Sequence, residues 1–260
     1  GTLASNLLRN AAIHMGLPFQ SANRAIEGAV FSAHSVLGLD PHDRATTWGG
    51  TALRIGTELH EDLDGNPAHL LLIIAALASL PFMVKRPGKK TALIYSLCLV
   101  AGFLLFSLLL RWQPWHSRLH LPLFVAAAPL IGVLFSFTKR DEMAIIAAAL
   151  LLAASLPWLL FNYQRPLIPY DGFSVLTAER TDIYFRARPE LKRKYVEAAG
   201  IILRQDCTDL GLMPASGEMW EYPVWPLLND RRFRLEHVEV NNESAGLADP
   251  DFSPCLHLRF

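Results

Sequence analysis

Four apolar runs dominate the hydropathy pattern: residues 69–84, 91–110, 119–138 and 143–161 contain no Asp, Glu, Lys or Arg. A helix crosses the hydrocarbon core of a bilayer with about 20 apolar residues. The pattern therefore predicts four membrane helices over residues 68–161, the first shorter than the others. Before them, Leu3, Leu7, Leu8, Ala11, Ala12 and Met15 recur at helical spacing, as do Ile26, Val30, Ala33 and Leu37, with Ser21 available as an N-cap. Both stretches read as amphipathic helices of an outer loop region, residues 1–67, either packed on a bundle or lying in the interface plane.

After Asn162 the texture changes. Pro189–Gln205 predicts a helix with Leu191, Tyr195, Ala198, Ala199 and Ile202 on one face, and Trp220–Leu228 a second. Leu210–Met213, Leu235–Val240 and Cys255–Phe260 read as strands. The expected fold class is thus an α-helical polytopic membrane bundle with a small α/β soluble domain at the C-terminus, over residues 162–260.

The joints between the runs give an orientation. Lys85, Arg86, Lys89 and Lys90 crowd the first joint and Lys139 and Arg140 the third, whereas the second carries two Arg and two Trp. By the positive-inside rule the first and third joints are cytoplasmic, so both ends of the chain lie outside. Trp112, Trp115, Trp158 and Tyr163 then fall at outer ends, where amphipathic rings suit the headgroup level. The expected localisation is multi-pass, in a bacterial inner membrane, with the C-terminal domain periplasmic.

The formal net charge is zero, but it is unevenly spread: residues 68–161 carry eight basic side chains against two acidic, and both flanking regions are acidic in balance. The positive excess sits beside the apolar runs, which reads as topology and membrane-lipid contact and gives no nucleic-acid site. Cys98 is in an apolar run, and the C-terminal region has two cysteines, Cys207 and Cys255. An oxidising outer compartment permits their pairing as a disulfide. The chain begins at Gly1 with no charged leader and apolar h-region. An outward-facing N-terminal region then needs a preceding segment, and the chain is expected to be the C-terminal part of a larger protein whose N-terminal half is its partner.

Two short stretches carry candidate chemistry. His60-Glu61-Asp62-Leu63-Asp64-Gly65-Asn66-Pro67 collects imidazole and carboxylates above the first apolar run. His60, Glu61, Asp62 and Asp64 are candidates for acid–base work or for a divalent cation; the same run also reads as a solvated loop. Their spacing matches no metal motif. In Arg111-Trp112-Gln113-Pro114-Trp115-His116-Ser117-Arg118, two guanidiniums and two indoles are held by a Pro turn. Arg118 and Arg111 suit a lipid phosphate, since the Arg fork matches phosphate oxygens; snorkelling within an aromatic belt is the plainer alternative. His120, Pro122 and Pro129 follow in the next run, where such residues usually face protein. No Gly-x-Gly-x-x-Gly or P-loop occurs.

The run from Trp112 through His116-Ser117-Arg118-Leu119-His120-Leu121-Pro122 to Ala128-Pro129-Leu130 resembles later membrane segments of bacterial family 39 glycosyltransferases. These are of the dolichyl-phosphate-mannose-protein mannosyltransferase type, with the GT-C fold. His60-Glu61-Asp62 with Gly65-Asn66-Pro67, Tyr184-Phe185, Arg188-Pro189-Glu190-Leu191 and Trp220-Glu221-Tyr222-Pro223 look like elements of the same proteins. The resemblance implies a membrane enzyme that moves a sugar from a polyprenyl-phosphate carrier to an acceptor on the outer side, the lipid-linked sugar being its substrate. Such enzymes draw on an acidic residue in an early outer loop, expected upstream of Gly1. The resemblance carries that role onto neither Asp141-Glu142 nor Glu61-Asp62, and it leaves His60, Glu61 and Asp62 as candidates for an acceptor or cation site. The alternative is a non-enzymatic membrane component or transporter subunit, which would place charged or broken segments inside the spans.

Overall fold

The computed structural model describes the chain apart from residues 57, 61, 84–87, 138–140, 170, 214–219, 230–231 and 260. It divides into two units, Gly1–Tyr170 and Asp171–Phe260. The basic side chains at Lys85, Arg86, Lys139 and Arg140, on which the orientation rests, lie outside the described residues, as does Glu61.

In the first unit α1 (Thr2–Ala12) and α2 (Gln20–Val36) precede a long loop, followed by the apolar helices α3 (Pro67–Ser79), α4 (Lys89–Leu109), α6 (Leu121–Ser136) and α7 (Asp141–Phe161). The single turn α5 (His116–Leu119) leads into α6. The four-span expectation fails on length. At 1.5 Å per residue, the 21 residues of α4 and of α7 reach about 30 Å, the thickness of a hydrocarbon core, whereas the 13 of α3 and 16 of α6 reach only about 20 and 24 Å. Among the described residues only Lys89–Leu109 and Glu142–Phe161 are long and apolar enough to cross a membrane. The expected polytopic bundle is therefore not what forms, and the multi-pass topology is left without support.

The physical reason lies in the chain breaks. Charge-free sequence continues past the helix ends, but Pro81 falls where α3 tightens into a 3-10 turn at Leu80–Met83, and Pro122 sits in the first turn of α6. Proline supplies no backbone donor, so each apolar run is longer than its helix. The two long helices remain uncovered within the chain: none of the α7 window is buried and 17% of the α4 window is. Such bare apolar surface needs an apolar surrounding, and it associates the chain with a membrane.

The second unit is a three-stranded sheet with helices on it. Its helices are α8 (Arg180–Tyr184), α9 (Pro189–Ile202) and α10 (Val224–Leu228). Its strands are β1 (Asp209–Met213), β2 (Arg234–His237) and β3 (Leu256–Arg259). The order is β2-β1-β3, and both pairs are parallel, with Leu210 opposite Leu235 and Leu256. Parallel neighbours need crossovers, and α10 lies in the first of them. Leu210 is buried with Ala199, Ile202, Val224, Leu228 and Phe233 in one core. Gly211 turns to the other face, where a Cβ would come within 3.0 Å of Val238 and Pro254 side chains. Cys207 and Cys255 form a disulfide with Cα atoms 5.8 Å apart, tying the approach to β1 to the approach to β3.

Candidate functional site

The site begins with α1, whose polar face is the buried one. Asn6, Asn10 and His14 stand at i, i+4 and i+8, so they share a stripe. All three are almost wholly buried, while Met15 of the expected apolar face is exposed. Asn6 Nδ2 donates to the carbonyls of Ser107 and Leu110, each at 2.9 Å, satisfying acceptors that the end of α4 leaves open. Asn10 Nδ2 donates to Ser107 Oγ at 3.0 Å, and its Oδ1 accepts from His116 Nδ1 at 2.9 Å. His14 Nε2 and His120 Nδ1 share a proton across 2.8 Å.

Arg9 completes the clamp. Its guanidinium donates to Pro41 O at 2.7 Å, Thr47 Oγ1 at 2.6 Å and Asn6 Oδ1 at 2.8 Å, and it lies 5.0 Å from the centre of the Trp112 ring. Burial brings its pKa down to about 10, opposed by Asp43 and Asp40, so it stays charged at neutral pH. Trp112, expected at the headgroup level, is instead fully buried over this cation. Its backbone is fixed as well, Trp112 N donating to Thr46 O at 2.7 Å and Trp112 O accepting from Trp48 N at 2.8 Å.

Upon this clamp the acidic loop is laid. Arg118 Nη1 donates to Asp62 Oδ1 at 2.6 Å, and Ser117 Oγ donates to Asp62 O, also at 2.6 Å. Asp62 N donates to His60 Nδ1 at 3.2 Å. The other side of the loop is held by α7: Trp158 Nε1 donates to Glu58 O at 3.0 Å, and Tyr163 N to Leu59 O at 2.7 Å. The C-terminal ends of both candidate spans thus meet one polar platform. Gly65 lets the loop close on the clamp, since a Cβ there would stand 2.8 Å from Ile13 O.

Electrostatics divide the platform into a solvated rim and a dry interior. The Arg118 side chain is 56% exposed and Asp62 17%. Arg118 spends one N–H on Asp62 and has others to offer. Asp64 is the interior group: burial raises its pKa to about 7 against the opposing Gly65 N–H, and its Oδ1 has no hydrogen-bond partner among the described residues. Burial likewise lowers His14 and His116 to about 4, and His120 to about 3 with help from the neighbouring imidazoles. These rings are neutral at pH 7.

The residues singled out in the sequence are distributed accordingly. His60, Asp62 and Arg118 come together, Arg111 is exposed without an ion pair among the described residues, and Cys207 is bonded to Cys255 in the other unit. Among the described residues the loop shows no ligand set for a divalent cation, and Glu61 lies outside them. The Nδ1 of His60 is taken by a backbone N–H and the Asp62 carboxylate by Arg118, and no group of three or more His, Cys, Asp or Glu side chains among the described residues is arranged to hold a metal. The ladder along α1 and the turn after it was the missed feature; its signal was Asn6, Asn10 and His14 at four-residue spacing, hidden among six apolar residues, Leu3, Leu7, Leu8, Ala11, Ala12 and Met15, at helical spacing of their own. No family model, curated protein or solved structure matches this chain.

Proposed function

We propose that this chain forms the outer-surface site of a membrane glycosyltransferase that draws its sugar from a polyprenyl-phosphate donor, at the outer face of a bacterial inner membrane. The observation that carries the reading is Arg118, half-exposed, anchored by Asp62, and set where the ends of both candidate spans converge. As the bond between the sugar and the carrier phosphate breaks, negative charge gathers on the phosphate. A fixed guanidinium with spare N–H groups stabilises that charge, and a pre-anchored one does so without reorganising. Asp62 is a positioning residue here, and the membrane lipid carries the donor to the site by its tail.

The platform also favours this reading over a transporter subunit. Its charged and imidazole groups gather at one end of α4 and α7, and the sequence from Thr91 to Leu109 carries no charge. The test is sugar transfer from polyprenyl-phosphate-linked mannose and other hexoses by the full-length protein in membrane vesicles. Arg118→Ala lowers transfer at least tenfold, and Arg118→Lys gives an intermediate rate because an ammonium does not reproduce the fork. Undiminished transfer by Arg118→Ala, or no transfer by the wild type from any of these donors, overturns the proposal.

A further inference from the structure

The second unit contains a cavity of about 470 Å³ between α9, α10 and β3. Its floor is hydrocarbon: Ala199, Ile202, Val224 and Leu228 are all buried there. Two aromatic residues, Tyr195 and Trp220, line it, and the indole N–H of Trp220 is buried without a hydrogen-bond partner among the described residues. Lys194, His257 and Arg259 also line it, all three exposed and none in an ion pair among the described residues. Arg188 adds a further cation, already bonded to Glu190.

The lining tells for one ligand chemistry by what it offers. A sugar ring needs hydrogen-bond acceptors as well as donors for its hydroxyls, and among the described lining residues no carboxylate or amide side chain is present and only Tyr195 brings a hydroxyl. A plain hydrocarbon would fill the floor but leave the cations and the indole N–H unanswered. A free anion would satisfy the cations and leave the floor wet. Only a molecule that joins an apolar tail to an oxyanion head meets both halves, and the volume is in the range of small-molecule sites, about 300–1,000 Å³. We infer that this cavity binds a single-chain amphiphile with an oxyanion head, tail against Ile202, Val224 and Leu228 and head toward Lys194 and Arg259. This site is separate from the Arg118 platform and stands whether or not the chain transfers sugar.

The test is calorimetric titration of the whole chain in phosphatidylcholine nanodiscs, with empty nanodiscs as the blank, using dodecyl phosphate, dodecanoate, dodecanol and inorganic phosphate. At least one of the two anionic amphiphiles binds saturably at one per chain, the tighter of them naming the head group, and dodecanol and inorganic phosphate bind at least tenfold more weakly. Lys194→Glu with Arg259→Glu, both at exposed positions, weakens binding at least tenfold. Ala198→Phe, which fills the cavity from an exposed helix position, abolishes it, and neither variant shifts the melting temperature by more than a few degrees. Absence of saturable binding by both anionic amphiphiles, or binding by these folded variants equal to wild type, overturns the inference.

Discussion

Asn10 is the single residue on which most of the buried network depends, since it serves Ser107 and His116 at once. Replacing it by Ala leaves a hydroxyl and an imidazole N–H dry and unpartnered, at a cost of about 1–3 kcal/mol for each group so abandoned. Chemical unfolding in detergent should register a loss of that size for Asn10→Ala. The titrating residues act in opposite directions. His14 and His120 have folded pKa values of about 4 and 3, below the ordinary 6.5, so the unfolded chain takes up protons that the folded chain refuses. Their contribution is complete above pH 6.5 and is lost as the pH falls through about 4 for His14 and about 3 for His120. Asp64 is the reverse case: folded at about 7 against 3.8 unfolded, it stabilises most below pH 3.8, and that contribution is lost as the pH rises through 7. Asp64→Asn should therefore raise the melting temperature at pH 8 and leave it nearly unchanged at pH 3, where the carboxyl is neutral in the folded and the unfolded chain alike. Melting curves of the variant that ran parallel to wild type at both pH values would show that Asp64 is not held in a dry environment.

Elements formed where local pattern decided them and failed where length did. The strands at Asp209–Met213, Arg234–His237 and Leu256–Arg259 lie on the alternating stretches, and α9 starts at Pro189, as its sequence demands. In contrast, the apolar runs around α3 and α6 promised spans that Pro81 and Pro122 cut short. The polar face of α1 was illegible for a different reason. Its burial depends on partners about 100 residues away in Ser107, His116 and His120, and no local period announces those. The Arg118–Asp62 pair was legible as two chemically apt residues but not as a contact, since 56 residues separate them. Close backbone approach gives a further test at this scale. A Cβ on Gly16 would stand 2.3 Å from Gly56 O, so Gly16→Ala must shift backbone and should cost about 1–3 kcal/mol, comparable to overpacking a core. In the second unit, Cys255→Ser opens a loop whose ends are 48 residues apart; chain entropy puts the loss at about 4 kcal/mol, in a model-dependent account, and the melting temperature of that unit should drop while the first unit's is unchanged.

For the whole molecule, the bare apolar surface of α4 and α7 associates the chain with a membrane, and the polar site forms at the C-terminal ends of both helices. The chain should accordingly stay in the pellet when membranes are washed with alkaline carbonate and enter solution only with detergent; release by the wash would remove the membrane from the account. The pair at Arg118 and Asp62 adds little to stability, since exposed ion pairs contribute about 0–1 kcal/mol, so its loss should be felt in binding and not in folding. The most direct measurement is therefore the affinity of the full-length protein in nanodiscs for a polyprenyl phosphate without its sugar, determined for wild type, Arg118→Lys and Arg118→Ala. The account predicts saturable binding by wild type, an intermediate affinity for Lys and at least a tenfold loss for Ala with unchanged melting temperature. Equal affinity in all three proteins would contradict it.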